Sequence, residues 1–279
     1  MALGIFELVF PRPTLAETLD AVAAHGMRHI QFDLASAGLT PIPREVPDET
    51  AAMIRRACQS RGIAIAAVSG TYNMTHPDPR VRAEGLAGLR AIAAVCQAMG
   101  TPVITLCTGT RDTDSMWRRH PENDSDGAWW DLVASLSAAL AIADAHGVTL
   151  AFEPEPANVI SSVARGRDLL RELDHPRLKV VMDVANVVAT DRSRSPEAVL
   201  DEAFDLLGDQ IVIAHGKDLD ADGSFCAAGQ GIVPWDYALA LFGSIGFDGP
   251  IILHSLAEEE ADGVIGFMRD RLDRATAGR

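Results

Sequence analysis

Residues 128–153 read AWWDLVASLSAALAIADAHGVTLAFE, and they contain the structural unit that recurs along the whole chain. From Ala128 to His146 the apolar residues follow the three- and four-residue spacing of a helix. Gly147 comes next, and Thr149 to Glu153 is a short apolar run of the kind that forms a buried strand. Because parallel strands must be joined by a crossover, usually a helix, this order predicts a parallel α/β sheet.

The same order is repeated on both sides of this stretch. Three more helical patterns are each followed by a glycine: Glu49 to Arg61 by Gly62, Val81 to Met99 by Gly100, and Pro234 to Ile245 by Gly246. The first helix begins at the capping-box pair Thr14 and Glu17 and ends at Gly26. Eight short apolar runs fill the strand positions: Gly4 to Val9, His29 to Leu34, Ile63 to Ser69, Pro102 to Cys107, Thr149 to Glu153, Leu178 to Asp183, Ile211 to His215 and Pro250 to His254.

Eight parallel strands close a (β/α)8 barrel, or TIM barrel, which usually needs about 250 residues. The sequence therefore predicts an α/β protein with one such barrel domain over residues 1–279. A doubly wound sheet would instead need a glycine-rich turn after the first strand, and residues 11–18 read PRPTLAET.

The composition favours a small molecule as the partner. The 279 residues carry a net charge of −15, so no general attraction to nucleic acid or to anionic lipid is expected. No basic leader precedes an apolar segment, and no window reaches the roughly 20 apolar residues of a membrane span, which predicts a cytoplasmic protein. The four cysteines form no CxxC pair and are expected to be free thiols. Leu and Phe on the outer helices are compatible with a homodimer.

Four consecutive strand runs end in a side chain that can bind a metal: Glu153, Asp183, His215 and His254. In a barrel these ends lie at the face where active sites occur, so the four side chains are expected to converge. A carboxylate at the end of a buried strand is costly unless it is paired or coordinated, which favours one bound divalent metal ion. Mixed carboxylate and imidazole ligands suit Mn, Co, Fe or Zn, and Mg less well. Taken singly, each side chain would also fit a helix cap or an ion pair.

A long loop from Thr108 to Gly127 leaves the fourth strand at the same face. Loops of this length are usually functional, so this one is expected to act as a lid or substrate loop, with Trp117 in the substrate wall. The alternative is a solvated insertion that Trp117 pins to the body of the protein. Near the first strand, Glu7 is a further candidate for the substrate wall.

Four stretches resemble motifs of the sugar phosphate isomerase/epimerase family, the xylose isomerase-like barrels: LAFEPEP at 150–156, VVMDVAN at 180–186, IVIAHGKD at 211–218 and AAGQGIVPW at 227–235. The resemblance implies a metal held by a glutamate, an aspartate, a histidine and a second glutamate on strands five to eight. Glu153, Asp183 and His215 match the first three positions. His254 stands in place of the second glutamate, which puts a symmetrical epimerisation by two glutamates in doubt.

Further residues are drawn into the site by the same resemblance. Asn186 replaces a histidine of many relatives and can bind a substrate hydroxyl but cannot carry a proton at neutral pH. Lys217 lies in a stretch that contributes to the site in the family, although a surface pair with Asp218 is the alternative. Glu155 follows Glu153 by two residues, and substrate binding and structural capping are both open for it.

The expected function is a metal-dependent isomerase or epimerase acting on a small sugar, keto-sugar or cyclitol through an enediolate. Glu153 is then the base, and His254 is the acid or second base. Loss of a β-substituent from the same intermediate would make the protein a lyase, such as a dehydratase or keto-glycoside eliminase. A non-catalytic sugar-binding barrel is a third hypothesis. A metal-dependent nuclease is disfavoured because this acidic chain shows no basic groove.

Overall fold

In a computed structural model that describes residues 1–277, eight parallel strands form a closed barrel. The barrel strands are β1 Ala2–Phe6, β2 His29–Phe32, β3 Ala64–Ser69, β4 Val103–Cys107, β5 Thr149–Glu153, β6 Leu178–Asp183, β7 Ile211–Gly216 and β10 Pro250–Leu253. They are hydrogen-bonded in chain order, and β10 closes the barrel on β1. Between β7 and β10 the chain forms a short antiparallel hairpin of β8 Asp218–Leu219 and β9 Phe225–Cys226.

The helices lie between the strands, as the repeated sequence pattern predicts. They are α1 Leu15–Ala24, α2 Asp48–Gln59, α3 Pro79–Met99, α4 Asp126–His146, α5 Val163–Leu173, α6 Val184–Thr190, α7 Pro196–Leu207, α8 Trp235–Ser244 and α9 Ala261–Ala277. The predicted single TIM barrel is confirmed. Gly100 and Gly147 end α3 and α4 in the left-handed conformation, which glycine adopts without steric cost.

The ends of several strands differ from the predicted bounds. The first strand is Ala2–Phe6 rather than Gly4 to Val9, because Glu7–Val9 forms a 3-10 turn in which Phe10 N–H donates to the Glu7 carbonyl. The apolar run continues through this turn, so hydropathy alone does not mark the end of the strand. The second strand likewise stops at Phe32, and Leu34–Ala37 forms another 3-10 turn.

The barrel interior explains why the site lies where it does. In a strand, residues two apart face the same side, so the residue two after an inward apolar one also faces inward. A small apolar cluster separate from the main core lies inside the barrel and consists of Ala67, Ala151, Val181, Ile213 and Ile252. Each of these five residues is followed two positions later by a polar residue, within the strand or just past its end: Ser69, Glu153, Asp183, His215 and His254. A polar layer therefore follows the apolar layer toward the carboxyl ends of the strands.

One outer helix has the length and composition of a membrane span. Among the helices of residues 1–277, α4 alone meets this test, with a mean hydropathy of 1.2 in its most apolar window. Its apolar residues are accounted for by the barrel, since Leu132, Leu136 and Leu140 belong to the buried core. The core helices of soluble proteins pass the same test, so α4 is weak evidence for a membrane segment.

Candidate active site

A cavity of about 690 Å³ opens at the carboxyl ends of the barrel strands. Active sites of TIM barrels lie at this face. Seven of the predicted site residues line the cavity: Trp117, Glu153, Glu155, Asn186, His215, Lys217 and His254. Asp183 is fully buried among them, whereas Glu7 does not line the cavity.

Asp183, His215 and His254 form the group at the floor of the cavity that can hold a metal ion. Their potential ligand atoms all lie within 4.8 Å of one another. Asp183 and His215 are direct partners in the register of β6 and β7, and His254 follows the end of β10. Asp183 Oδ1 accepts hydrogen bonds from the first turn of α6, whereas Oδ2 faces His254 Nε2 at 3.2 Å and Lys217 Nζ at 3.0 Å. The fold therefore aims one carboxylate oxygen into the group.

His215 is oriented as a metal-binding histidine would be. Its Nε2 lies 2.9 Å from Gln31 Oε1, an amide oxygen that can only accept, so Nε2 is the donor of this hydrogen bond. Nδ1 is buried and makes no hydrogen bond, although Glu153 Oε2 lies 3.1 Å away outside hydrogen-bond geometry. A buried nitrogen without a hydrogen-bond partner is costly unless another group takes up its lone pair. This orphaned atom therefore fits a metal ion.

Glu153 lies beside the group but is not one of the three side chains whose ligand atoms all lie within 4.8 Å. Its Oε1 accepts a hydrogen bond from Asn186 Nδ2, and its side chain is 13% exposed. Asn186 thus uses one amide proton to hold Glu153 and also lines the cavity, where its contact with substrate stays a prediction. The structure leaves Glu153 accessible from the cavity and held in one orientation.

Lys217 is buried, so the alternative of a surface pair with Asp218 is wrong. Its Nζ lies 3.0 Å from Asp183 Oδ2 and 4.0 Å from the centre of the Phe225 ring on β9. Asp218 is itself buried and accepts hydrogen bonds from backbone amides and from Trp235 Nε1. Lys217 therefore places a positive charge at the cavity floor.

The charges at the floor shift one another's pKa values. Burial alone would lower the pKa of Lys217, but attraction to Asp183 and Glu153 raises it, so the ammonium stays charged. Burial would raise the pKa of Asp183, but Lys217 and His254 outweigh it and hold that pKa well below its ordinary value. Burial lowers the pKa of His254 despite its hydrogen bond to Asp183.

Glu155 lines the cavity close to Glu153. Burial, and then repulsion from Glu153, raises the pKa of Glu155 well above its ordinary value. Its carboxyl makes no hydrogen bond to the described part of the chain. Only its backbone is hydrogen-bonded: Glu155 N–H donates to the Ile160 carbonyl, and the Glu155 carbonyl accepts from Asn158 N–H. The structural-capping alternative is therefore wrong for this side chain.

The prediction that Glu7 lies in the substrate wall is wrong. Its carboxyl is fully buried, and Oε1 accepts hydrogen bonds from Asp33 N at 2.8 Å and Ser36 Oγ at 2.9 Å. Oε2 is buried without a partner. Glu7 thus ties the end of β1 to the turn after β2, and burial raises its pKa to about 8.

Replacing Glu7 with glutamine is expected to remove a loss of stability that the wild-type protein shows between pH 5 and pH 8. Between about pH 4.5 and 8 the unfolded chain ionises this carboxyl while the folded chain keeps it protonated, so the wild-type stability falls as pH rises through this window. Glutamine keeps the two hydrogen bonds to Oε1 and does not titrate. The amide nitrogen would replace Oε2, which has no partner, so we expect a pH effect and not a fixed gain: the variant should gain roughly 3 kcal/mol relative to wild type between pH 5 and pH 8.

Urea unfolding of both proteins at pH 5 and pH 8 measures this difference. Glu84→Gln is the matched control, because Glu84 is 65% exposed and its substitution should not change the pH dependence. A difference in stability between wild type and Glu7→Gln that is the same at pH 5 and at pH 8 would show that Glu7 is ionised in the folded protein.

Three buried asparagines that the sequence analysis did not single out anchor the loop after β4. The side-chain oxygen of each accepts a hydrogen bond from a backbone N–H of the loop: Asn73 from Thr110, Asn123 from Arg111 and Asn158 from Gly109. The available signal was the residue type, since Asn side chains commonly bond to nearby backbone in turns. Trp117 on this loop is 59% exposed, so it does not pin the loop to the body.

The closed barrel, with one carboxylate and two imidazoles grouped at the carboxyl ends of its strands, defines the class as a TIM barrel. More particularly, the chain belongs to the xylose isomerase-like TIM barrel family, whose model matches residues 19–271. The resemblance found in the sequence motifs is thereby confirmed. No curated protein matches the chain in sequence.

Solved structures share this fold at low sequence identity. The D-psicose 3-epimerase of Clostridium cellulolyticum H10, solved with D-tagatose, is 18% identical with a TM-score of 0.74, covering 98% of this chain and 99% of its own. The 3-keto-D-glucoside 4-epimerase of E. coli is 15% identical with a TM-score of 0.76, covering 97% and 99%. The IOLI protein with a bound zinc atom is 17% identical with a TM-score of 0.74, covering 99% of each chain. At these identities the likeness establishes the fold alone.

Proposed function

We propose that the protein is a metal-dependent isomerase or epimerase of a small sugar, keto-sugar or cyclitol. One observation carries the proposal: the buried Nδ1 of His215 lacks a hydrogen bond, faces the carboxylate of Glu153 at 3.1 Å and belongs to a group with Asp183 and His254. The carboxylate of Glu153 thus lies next to a group of possible metal ligands, which supports a base beside a metal ion. Relatives of the same fold that epimerise sugars and, in one case, bind zinc support this function.

Asp183, His215 and His254 would hold the ion, with Glu153 beside them as a fourth ligand. Oxygen and imidazole ligands together suit Mn, Co, Fe or Zn, and Mg less well. A divalent ion there would polarise the carbonyl of a hydroxy-ketone and make the neighbouring C–H more acidic.

The chain's own groups account for the proton transfers. Glu153, held by Asn186, removes the proton from the carbon next to the carbonyl, and the C–H electron pair forms the double bond of an enediolate. The ammonium of Lys217 offsets the negative charge that develops on oxygen. Return of the proton from Glu153 to the former carbonyl carbon, with the hydroxyl proton passing from one oxygen of the enediolate to the other, gives an isomer. Delivery of a proton to the opposite face of the first carbon gives an epimer, a role that His254 fills only when its imidazole is protonated and does not bind the ion.

A lyase is the second candidate, and the identity of residue 254 favours it. Elimination needs a base and a different group that protonates the departing substituent, whereas epimerisation in the family uses two glutamates. Glu153 and His254 are such an unlike pair, and both line the cavity. The first proton removal is common to both reactions.

Proton exchange in D2O tests the proposed function. Protein loaded with Mn, Co or Zn is incubated with a panel of ketoses and keto-glycosides, and NMR follows both deuterium uptake next to the carbonyl and the products. We expect uptake with at least one substrate and with only one carbon position affected at first. New products of unchanged mass, apart from deuterium, would identify an isomerase or epimerase, and loss of water or of an aglycone would identify a lyase. Saturable binding without exchange across the panel would leave the sugar-binding barrel as the better hypothesis.

A further inference from the structure

The mouth of the cavity is apolar, in contrast to its charged floor. Leu8, Trp117 and Phe225 line it and are 44%, 59% and 45% exposed. They are three of the nine large hydrophobic side chains that are exposed in the described part of the chain. They come from segments far apart in the sequence, so their meeting around one opening is a product of the fold. Clustered exposed apolar groups around a binding groove indicate a ligand that covers them.

The cavity is also larger than a monosaccharide needs. Its volume of about 690 Å³ lies within the range of about 300–1,000 Å³ for pockets that enclose drug-sized ligands. A hexose has only about twelve non-hydrogen atoms and would occupy the polar floor alone. Space next to the apolar mouth therefore remains for a second part of the ligand.

The charges that line the cavity disfavour a phosphate as this second part. Lys217 is the only lysine or arginine among the described lining residues, and its Nζ is already paired with Asp183. Asp33, Glu153 and Glu155 add carboxyl groups to the same wall. Phosphate sites in proteins depend on arginine, lysine or free backbone N–H groups.

Trp117 is held in place by the loop that carries it. Arg118 Nη2 donates to Asp112 Oδ1 at 2.8 Å, and Thr110 Oγ1 donates to the Arg118 carbonyl at 2.9 Å. The residue next to Trp117 is thus fixed on both its side chain and its backbone. A ring presented on an anchored segment loses little freedom when a ligand packs against it.

We propose that the substrate is an unphosphorylated keto-sugar glycoside whose apolar, aromatic aglycone packs against Trp117, Leu8 and Phe225. This inference rests on the proposed function for the sugar end of the ligand and extends it to the substituent. The Phe225 ring contacts Lys217 on one side, so the apolar mouth is continuous with the polar floor. The sugar and the aglycone would therefore bind to adjoining parts of one cavity.

Calorimetric titration with four probes tests the substrate class. The probes are phenyl β-D-glucopyranoside, methyl β-D-glucopyranoside, D-glucose and D-glucose 6-phosphate. We expect the phenyl glycoside to bind about tenfold more tightly than the methyl glycoside, because the ring buries more apolar area. The phosphate should give no gain over D-glucose. Trp117→Ala should reduce the phenyl preference at least about threefold. Trp130→Ala is the matched control, since Trp130 on α4 is 57% exposed and does not line the cavity.

Each outcome bears on the inference separately from the proposed function. A phenyl preference that Trp117→Ala removes would support the subsite even if no proton exchange is found. Exchange on plain ketoses without any phenyl preference would overturn the subsite and leave the isomerase standing. Tighter binding of D-glucose 6-phosphate would also overturn it. Sedimentation measures whether a second copy of the chain covers the mouth instead. A dimeric wild type with a monomeric Trp117→Ala variant would overturn the proposed aglycone subsite.

Discussion

Replacing Glu153 with glutamine is expected to slow substrate proton exchange by a factor of about 10³ or more, while the protein stays folded. Glutamine cannot take the proton from carbon at neutral pH, because its amide is not a base. It keeps the acceptor oxygen for Asn186, so the cavity floor should retain its shape. Deuterium uptake by NMR, measured on the best substrate of the panel, gives the rate for each protein.

The control for this substitution is Glu84→Gln. Glu84 is exposed, pairs with Arg44 and is none of the proposed site residues. Its exchange rate should equal that of wild type. Metal content is measured on the same samples, because a lost ion would mimic a lost base. If Glu153→Gln retains its metal and exchanges within about tenfold of wild type, another group is the base.

The second large effect is expected on metal binding. His215→Ala and His254→Ala should each weaken binding of Zn or Mn by at least about a hundredfold, because each removes one ligand from a small set. Gln31→Leu should weaken it by roughly tenfold, since Gln31 acts only by fixing the proton on His215 Nε2. Elemental analysis after dialysis and calorimetric titration of the metal-free protein measure both effects.

His175→Ala is the matched control for metal binding. His175 pairs with Asp144 at 3.2 Å and lies before β6, at the opposite end of the strand from Asp183. Circular dichroism checks that each variant is folded. Wild-type protein that takes up no ion under any loading condition would contradict the metal site itself. Full retention by His254→Ala, with loss in His215→Ala, would remove only His254 from the ligands.

Much of the fold and of the cavity floor was predictable from the sequence. The eight apolar runs alternate with helical patterns, and this order suffices for a closed parallel barrel. Glu153 and Asp183 each follow an inward-facing apolar residue by two positions, as do His215 and His254. Because strand alternation is a local property, it places these side chains on one inner face without any knowledge of the packing.

The strand ends and several contacts were not predictable in this way. The apolar run at the first strand continues into a turn, so the burial of Glu7 behind the cavity wall depends on Asp33 and Ser36 from the next strand region. The pairing of Lys217 with Asp183 likewise joins the residue after β7 to the end of β6. Hydropathy and spacing describe one segment at a time and do not report which segments meet.

By itself, the sequence determined the barrel, the face that carries the site and the donor atoms at its floor, because these follow from periodicity within single strands and from strand order. Only the tertiary structure decided that Asn186 holds Glu153, that Lys217 is buried and that Trp117, Leu8 and Phe225 surround one opening. The physical reason is that closure of the barrel brings together side chains from different strands and loops, and patterns within one segment carry no record of those contacts.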